Sequence, residues 1–408
     1  MTQWKIERLG RHGDGVAVAS DGARAFAART LPGEMIEGDA ADGRITAPRI
    51  VTPSPDRKRP ACPHYASCGG CALMHADDAF VARWKADLVT SALAAHGISA
   101  QIAGVATSPE RSRRRAVLSG RRTKKGALVG FHGRASDQLV DVHDCLVLRP
   151  AINAALPVLR DLVISGASRG AELSLTVTES PAGLDVAVSG GKGLDAALTE
   201  KLGQIMRQGD FARLDWDGTP MTRRSPVRQM GAARVTPPPG AFLQATAEGE
   251  AALLSVVRKT LDGSRRIVDL FAGCGTFALP LAAHADVHAV EGLSAPLQAL
   301  DAAWREAPDL HRVTTETRDL SARPLQPDEL AGFDAAVIDP PRSGAAAQAA
   351  ELAASDLKHI TWVSCDPVTF ARDAATMIAA GWRMGPLYVV DQFRWSAHVE
   401  TVTSFTRH

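Results

Sequence analysis

Two short stretches of this 408-residue chain put reactive side chains where apolar runs stop. Ser364-Cys365-Asp366-Pro367 follows an apolar run at 360–363, and Asp339-Pro340-Pro341-Arg342 follows another at 335–338. A cysteine within a strand is ordinarily inert packing. Cys365 instead stands at a strand exit, and Pro367 suits the first turn of a helix whose dipole is expected to favour the thiolate. Such a thiolate can add to an electron-poor ring and make the neighbouring carbon nucleophilic, after which a base must remove a proton so that the sulfur leaves. Glu400, in His398-Val399-Glu400, is the candidate base, and its bland alternative is a solvated acid at a strand edge.

A second set of residues has the pattern of a nucleotide-cofactor site. In Val268-Asp269-Leu270-Phe271-Ala272-Gly273-Cys274-Gly275-Thr276-Phe277, a strand ends in an acid and passes into a glycine-bearing turn whose amides can approach a ligand. Alone this is weak, because tight turns of this kind are common. Glu291 closes the next apolar run, where a carboxylate accepts hydrogen bonds from ribose hydroxyls. Asp319, after a third run, is placed to accept from an adenine amine, although an isolated acid is as often plain surface. Phe242 and Gln244 precede this region and are placed to close over a cofactor, or, for the Phe, to fill the core.

Six cysteines, in a chain whose first residues lack an apolar leader, are few for a disulfide scaffold, so their spacing reads as metal or catalytic chemistry. Cys62-x5-Cys68-Gly69-Gly70-Cys71 and, 74 residues further on, Cys145 supply four thiolates, enough for a tetrahedral zinc or a 4Fe-4S cluster. The paired Cys-x2-Cys layout of zinc ribbons is missing. One remote ligand and a Gly-Gly pair between close ones are easier to reconcile with a cluster. His64 and His75 lie nearby and are expected to be structural or surface residues.

These residues need elements to hold them. The length predicts two or three domains, and 45% hydrophobic with 22% charged residues excludes a wholly disordered chain. Residues 1–55 read as a small β-barrel, with short alternating runs cut by glycines. Residues 56–240 read as a central α+β domain that carries the cysteines, a helix at 77–96 and further helices at 151–163 and 194–207. From 241 to 408 the pattern becomes strand, turn, helix, repeated, which predicts an α/β, doubly wound, Rossmann-like sheet. Net charge is only +1, yet segment 111–125 carries Arg111, Arg113, Arg114, Arg115, Arg121, Arg122, Lys124 and Lys125 without an acid, a polyanion-binding pattern. No run reaches the roughly 18 to 20 apolar residues needed to span a bilayer, so a cytoplasmic protein without membrane contact is expected.

Cys-x5-Cys-Gly-Gly-Cys, Asp-Leu-Phe-Ala-Gly-Cys-Gly, Asp-Pro-Pro-Arg, Ser-Cys-Asp-Pro and His-Val-Glu occur in this order over nearly the whole chain. Together they resemble the RNA uracil-5-methyltransferases, especially the iron-sulfur-containing 23S rRNA members. The resemblance implies methyl transfer from S-adenosylmethionine to carbon 5 of a uridine in RNA, with 23S rRNA ahead of tRNA because the tRNA-modifying branch lacks the cysteine knot. It implies Cys365 as nucleophile and Glu400 as base. Gln244, Phe271, Gly273, Gly275, Thr276, Glu291 and Asp339 would form the cofactor pocket, with Asp319 beside the adenine. Cys62, Cys68, Cys71 and Cys145 would hold a structural 4Fe-4S cluster.

Segment 8–39, with Leu31-Pro32-Gly33-Glu34, is similar to the family's RNA-binding TRAM barrel, and the basic segment 111–125 then reads as an RNA-contacting surface. A monomer is expected. Thr276 departs from the Asn of many relatives. The rival readings are an amino-group methyltransferase, disfavoured because Arg342 replaces the aromatic after Asp-Pro-Pro, a nonenzymatic RNA-binding factor, and a redox or radical enzyme.

Overall fold

The computed structural model describes residues 2–407. From residue 266 onward the apolar runs are short, rich in Val, Ile and Ala, and interrupted by Gly, Pro and Asp. They form strands that helices cover on both faces. The strand order is Val313–Thr317, Asp286–Glu291, Arg266–Leu270, Ala335–Ile338, His359–Ser364, Glu400–Thr406, Leu387–Asp391. The first five are parallel, and Glu400–Thr406 runs antiparallel to both its neighbours. Strand order reverses between Arg266–Leu270 and Ala335–Ile338, so a crevice opens at their carboxyl ends.

The expected doubly wound sheet is present, but more of the chain contributes to it than the expected boundary at 240/241 allowed. Ile102–Thr107 pairs in parallel with Leu387–Asp391 and covers that edge. The helix Asp78–Ala94 packs with it: Val89 and Leu93 share a core with Val268, Leu270 and Met377. The hairpin Arg228–Met230 and Ala233–Val235 likewise sends Met230 and Val235 into a core with Leu253 and Ile267. The physical reason is edge coverage and burial of a helix stripe, neither of which is local in sequence.

Between these insertions lies a separate α+β unit. Its strands run in the order Leu139–Asp141, Ala127–His132, Arg115–Arg122, Glu172–Ser180, Gly183–Ser189, Phe211–Trp216, Thr219–Thr222. Helices Pro150–Gly166 and Ala196–Gln208 contribute Leu159 and Ile205 to a core with Leu118, Leu175 and Trp216.

At the N-terminus, Thr2–Leu9, Gly15–Ala19, Arg24–Ala27, Met35–Gly38, Arg44–Ile45 and Arg49–Thr52 form one sheet, with the last two at its edges. Leu9 and Leu31 pack against Leu73, Val81 and Trp84, which docks this sheet on the helix Asp78–Ala94. Glu34 is fully buried, accepts from the Leu31 and Ser54 amides at 2.8 and 3.1 Å, and pairs with Arg57. The Leu31-Pro32-Gly33-Glu34 motif is therefore a lock between loop and linker. Among the described residues no helix is long and apolar enough to cross a membrane.

Candidate active site

Cys365 and Glu400 are brought together by strand register. Ser364 pairs with Thr401 across the antiparallel ladder, so the next residue on one strand faces the preceding residue on the other. Val390 pairs with Glu400 from the far side, which puts Gln392 at the same sheet end. Gln392 then organises the floor. Its Oε1 accepts from the Ala245 amide at 2.8 Å, and its Nε2 donates to Gln244 Oε1 at 2.6 Å. Gln244 Nε2 in turn donates to Asp339 Oδ2 at 3.1 Å. Gln244, Asp339, Cys365 and Glu400 thus meet as the sequence predicted, whereas Gln392, their connector, was missed. Its available signal was the polar pair Asp391-Gln392 directly after the apolar run 387–390.

The electrostatics reverse one expectation. The helix Pro367–Ala379 does begin beside Cys365, but Asp366 Oδ1 accepts from the Val368 and Thr369 amides at 2.9 and 3.2 Å and takes the dipole for itself. Burial, with the Glu400 and Asp339 carboxyls adding to it, pushes the Cys365 thiol up to about 12. The expected resting thiolate is therefore a neutral thiol. Glu400 is 2% exposed, and burial followed by Asp339 holds its carboxyl well above the usual range. Burial pushes Asp339 up to about 7 against the opposing Gln244 hydrogen bond.

Cys365 opens on a pocket whose rim includes Arg342, His398, Val368 and, from the N-terminal sheet, Arg11 and His12. Arg342 meets the His398 ring at 3.3 Å, and partial burial followed by the Arg342 charge pushes that imidazole down to about 4.

The glycine turn lies across the crevice from this pocket. Phe271 has φ of 64°, a left-handed conformation that costs a bulky residue about 1–3 kcal/mol and is held by its surroundings. Gly273 also has positive φ, and a Cβ there would meet nothing within 4 Å, so its outer side is open. Its amide donates to Glu291 Oε2 at 3.1 Å, and the Leu293 amide donates to Oε1 at 3.0 Å. Gly275 could not carry a side chain: its φ is 94° and a Cβ would sit 2.9 Å from Leu279. Thr276 completes the turn, but the helix it opens is only Ala278–Leu281. The amides of the turn, rather than a long helix dipole, are what a ligand would meet. Asp319 is exposed beyond Glu291, and its Oδ1 accepts from the Ser321 amide at 2.9 Å.

Beneath the turn, Asp269 is fully buried beside the Ala278 amide, which donates to it, and burial followed by Asp339 nearby raises its pKa strongly. Asp269, Asp339 and Glu291 together make a crevice suited to a cationic nucleoside ligand.

The four remote thiols also converge. Cys62, Cys68, Cys71 and Cys145 line one cavity, which Arg113 also lines. The Gly70 amide donates to Cys68 Sγ at 3.4 Å, and the Val147 and Leu148 amides donate to Cys145 Sγ. Asn153 clamps Cys145 by its amide and carbonyl, both at 2.9 Å. Among the described residues, no three His, Cys, Asp or Glu side chains are gathered to hold a single metal ion. His75 is a buried structural residue whose Nδ1 meets the Tyr65 hydroxyl at 2.6 Å.

The basic segment is not the surface its composition suggested. Arg114 is 4% exposed and donates to the Gln244 carbonyl at 3.1 Å, while Arg115 donates to the Ala241 carbonyl at 3.0 Å. Arg113 lies over the Phe393 ring at 5.7 Å and donates to the Arg115 carbonyl. Their guanidiniums are spent on holding the middle unit to the catalytic body. Arg111 and Arg121 pair with Asp144 and Glu172, which leaves Arg122, Lys124 and Lys125 as the exposed part.

Strand order and crevice define an α/β methyltransferase of the S-adenosylmethionine-dependent class. The solved tRNA (uracil-54, C5)-methyltransferase of Pyrococcus abyssi, in complex with S-adenosyl-L-homocysteine, has the same fold, at a TM-score of 0.74 with 20% identity over 99% of both chains. A family model described as tRNA (Uracil-5-)-methyltransferase matches residues 235–408. An uncharacterized RNA methyltransferase of Brucella suis biovar 1 is 42% identical over 99% of this chain and 98% of its own length. The 23S rRNA (uracil(1939)-C(5))-methyltransferase RlmD of Chromohalobacter salexigens is 31% identical over 98% of this chain and 88% of its own. The chain belongs to the RNA uracil-5-methyltransferase family.

Proposed function

We propose that this enzyme methylates carbon 5 of a uridine in 23S rRNA through a transient bond between Cys365 and carbon 6 of the base. The observation that carries this reading is the opposition of Cys365 and Glu400 at one strand end, beside the carboxylate-lined crevice. Arg11, His12, Arg342 and His398 around the pocket suit a polyanion, and a stacked uridine would have to be extruded to reach the sulfur. The four-cysteine cavity favours ribosomal RNA over tRNA, in keeping with the 31% identical relative.

S-adenosylmethionine supplies an electrophilic methyl group on a positively charged sulfur. The open turn at Gly273, the Glu291 carboxylate and the buried acid Asp269 with Asp339 nearby fit such a ligand, with Gln244, Phe271, Gly275 and Thr276 around it and Asp319 toward the adenine. Cys365 Sγ gives up its proton to solvent in the open pocket and adds to carbon 6, and the carbon 5–carbon 6 electron pair moves toward the carbon 4 carbonyl oxygen. Carbon 5 then bonds to the methyl carbon while the breaking sulfur–methyl pair stays on the donor sulfur. Glu400 takes the carbon 5 proton, the double bond re-forms, and the carbon 6–sulfur pair returns to Cys365. Glu400 needs to be ionised for this, and a cation in the crevice favours its carboxylate.

The thiols of Cys62, Cys68, Cys71 and Cys145 would hold a 4Fe-4S cluster. Amide donors to sulfur and the partly buried Arg113 on the cavity wall suit a cluster of net negative charge. Such a cluster, with all four thiolates used, has a structural role. The N-terminal sheet is taken as the RNA-binding barrel. The defining experiment compares wild type and Cys365→Ala on unmodified 23S rRNA and tRNA from a deletion strain, mapping 5-methyluridine. Loss of methylation on 23S rRNA alone is expected, and a Cys365→Ala protein with wild-type turnover would remove the mechanism.

A further inference from the structure

The turn that joins the first two strands of the N-terminal sheet lies on the rim of the Cys365 pocket. Arg11 and His12, both exposed at its tip, line that pocket together with Arg342 and His398. The turn is braced from three directions. The Gly10 amide donates to the Asp14 carbonyl at 2.7 Å, and Arg134 of the middle unit pairs with Asp14 at 2.7 Å and donates to the His12 carbonyl at 3.2 Å. Gly13, at φ 80°, sits against Ala72 and Leu73 of the cysteine segment so closely that a Cβ would lie 3.3 Å from Ala72. Arg11 and His12 are therefore presented by a fixed turn.

Neither guanidinium on this rim is neutralised. Arg11 Nε donates to His12 Nε2 at 3.2 Å and Arg342 meets His398 at 3.3 Å, and among the described residues neither has a carboxylate partner. The one acid lining the pocket, Asp366, has Oδ1 engaged by the Val368 and Thr369 amides. Two imidazoles and two unpaired guanidiniums around one opening form a binding site for an anion with several oxygens. A phosphodiester is the anion an extruded uridine brings with it.

We propose that Arg11 and His12 form a phosphate subsite that grips the RNA backbone next to the target uridine, opposite Arg342. This rests on the reading of the chain as an RNA uridine methyltransferase and deepens it: the N-terminal sheet completes the catalytic pocket rather than tethering RNA at a distance. A backbone held at the pocket mouth fixes how far the base can enter, so the subsite positions carbon 6 over the sulfur without touching the reacting atoms.

The test uses full-length protein and an in vitro transcript of 23S rRNA, in filter binding over a salt series and in steady-state methylation. Arg11→Gln is expected to reduce the slope of log affinity against log salt by about 0.7, the value for one phosphate contact on a single strand. Arg11→Lys should restore the slope. Arg11→Gln with His12→Gln is expected to lower kcat/KM for RNA about tenfold, chiefly through KM, with S-adenosyl-L-homocysteine binding unchanged in calorimetry. A double variant with wild-type salt slope and kcat/KM overturns the subsite alone. A wild-type protein that neither binds nor methylates the transcript removes the parent reading and the subsite with it.

Discussion

The Lys85 ammonium donates to Asp391 Oδ1 at 2.5 Å, and neither side chain has any exposed surface. Lys85 Nζ also donates to the carbonyls of Phe393 and His398, at 3.2 and 2.7 Å, and so spans the loop that leads into Glu400. On its other side that loop is held by the Ala72 and Leu73 amides, which donate to the Trp395 carbonyl at 2.8 and 2.9 Å. Lys85→Met should strand a buried carboxylate and cost about 3–5 kcal/mol of stability. Lys85→Met with Asp391→Leu should recover part of that loss. Denaturant unfolding measures both, and a single variant as stable as wild type would contradict the buried tie.

Burial, with the Glu400 and Asp339 carboxyls adding to it, keeps Cys365 a neutral thiol in the resting protein. Its alkylation by iodoacetamide at pH 7.5 should be at least about 100-fold slower than that of an ordinary exposed thiol. Mass spectrometry of the modified peptide gives the rate. Alkylation as fast as a model thiol would mean that burial does not hold the sulfur protonated.

Glu400 faces Cys365 by strand register, so Glu400→Gln should allow addition and methyl transfer but stop proton removal. A covalent protein–RNA band in denaturing gels, absent from Glu400→Gln with Cys365→Ala, is the expected result. Free turnover of Glu400→Gln would move the base elsewhere.

Asp339 is held protonated to about pH 7 by burial. A raised carboxyl binds more protons folded than unfolded, so its contribution to stability falls as pH rises from the usual carboxylate range toward 7. A bound cation favours the carboxylate and releases the proton. Affinity for S-adenosylmethionine should therefore rise with pH, by at most about tenfold per unit, and level off above 7. Calorimetry at pH 6 and 8 reads the change, and Asp339→Asn should flatten it. A pH-independent affinity in the wild type would place the donor's charge away from Asp339.

Protein purified without oxygen should be coloured and carry about four irons and four sulfides per chain. Cys145→Ser should lose both, since Cys145 joins the middle unit to the cysteine segment. A colourless protein with one zinc per chain would replace the cluster with a single ion.

What could be read from the sequence was what is local. Cys365, Glu400 and Glu291 stand at strand ends because apolar runs of fixed period stop there, and the glycine turn announces itself by composition. Arg113, Arg114 and Arg115 misled because a run of charge has the same appearance whether solvated or folded inward onto Phe393 and the Gln244 carbonyl. Lys85 lies about 300 residues from its partner, and no spacing rule reaches so far. The edge strand Ile102–Thr107 went unseen because most of its residues face solvent and lack the alternation that marks a half-buried strand.

That edge strand changes how the molecule is joined. The chain adds a strand to the catalytic sheet, departs at Thr107, builds the middle unit and re-enters through the hairpin that starts at Arg228. The middle unit is thus anchored by two covalent crossings, like a handle fixed at both ends, and a swing about a single linker is denied to it. The alignment of the cysteine cavity with the catalytic loop is built into the path of the backbone, whatever the RNA does on arrival.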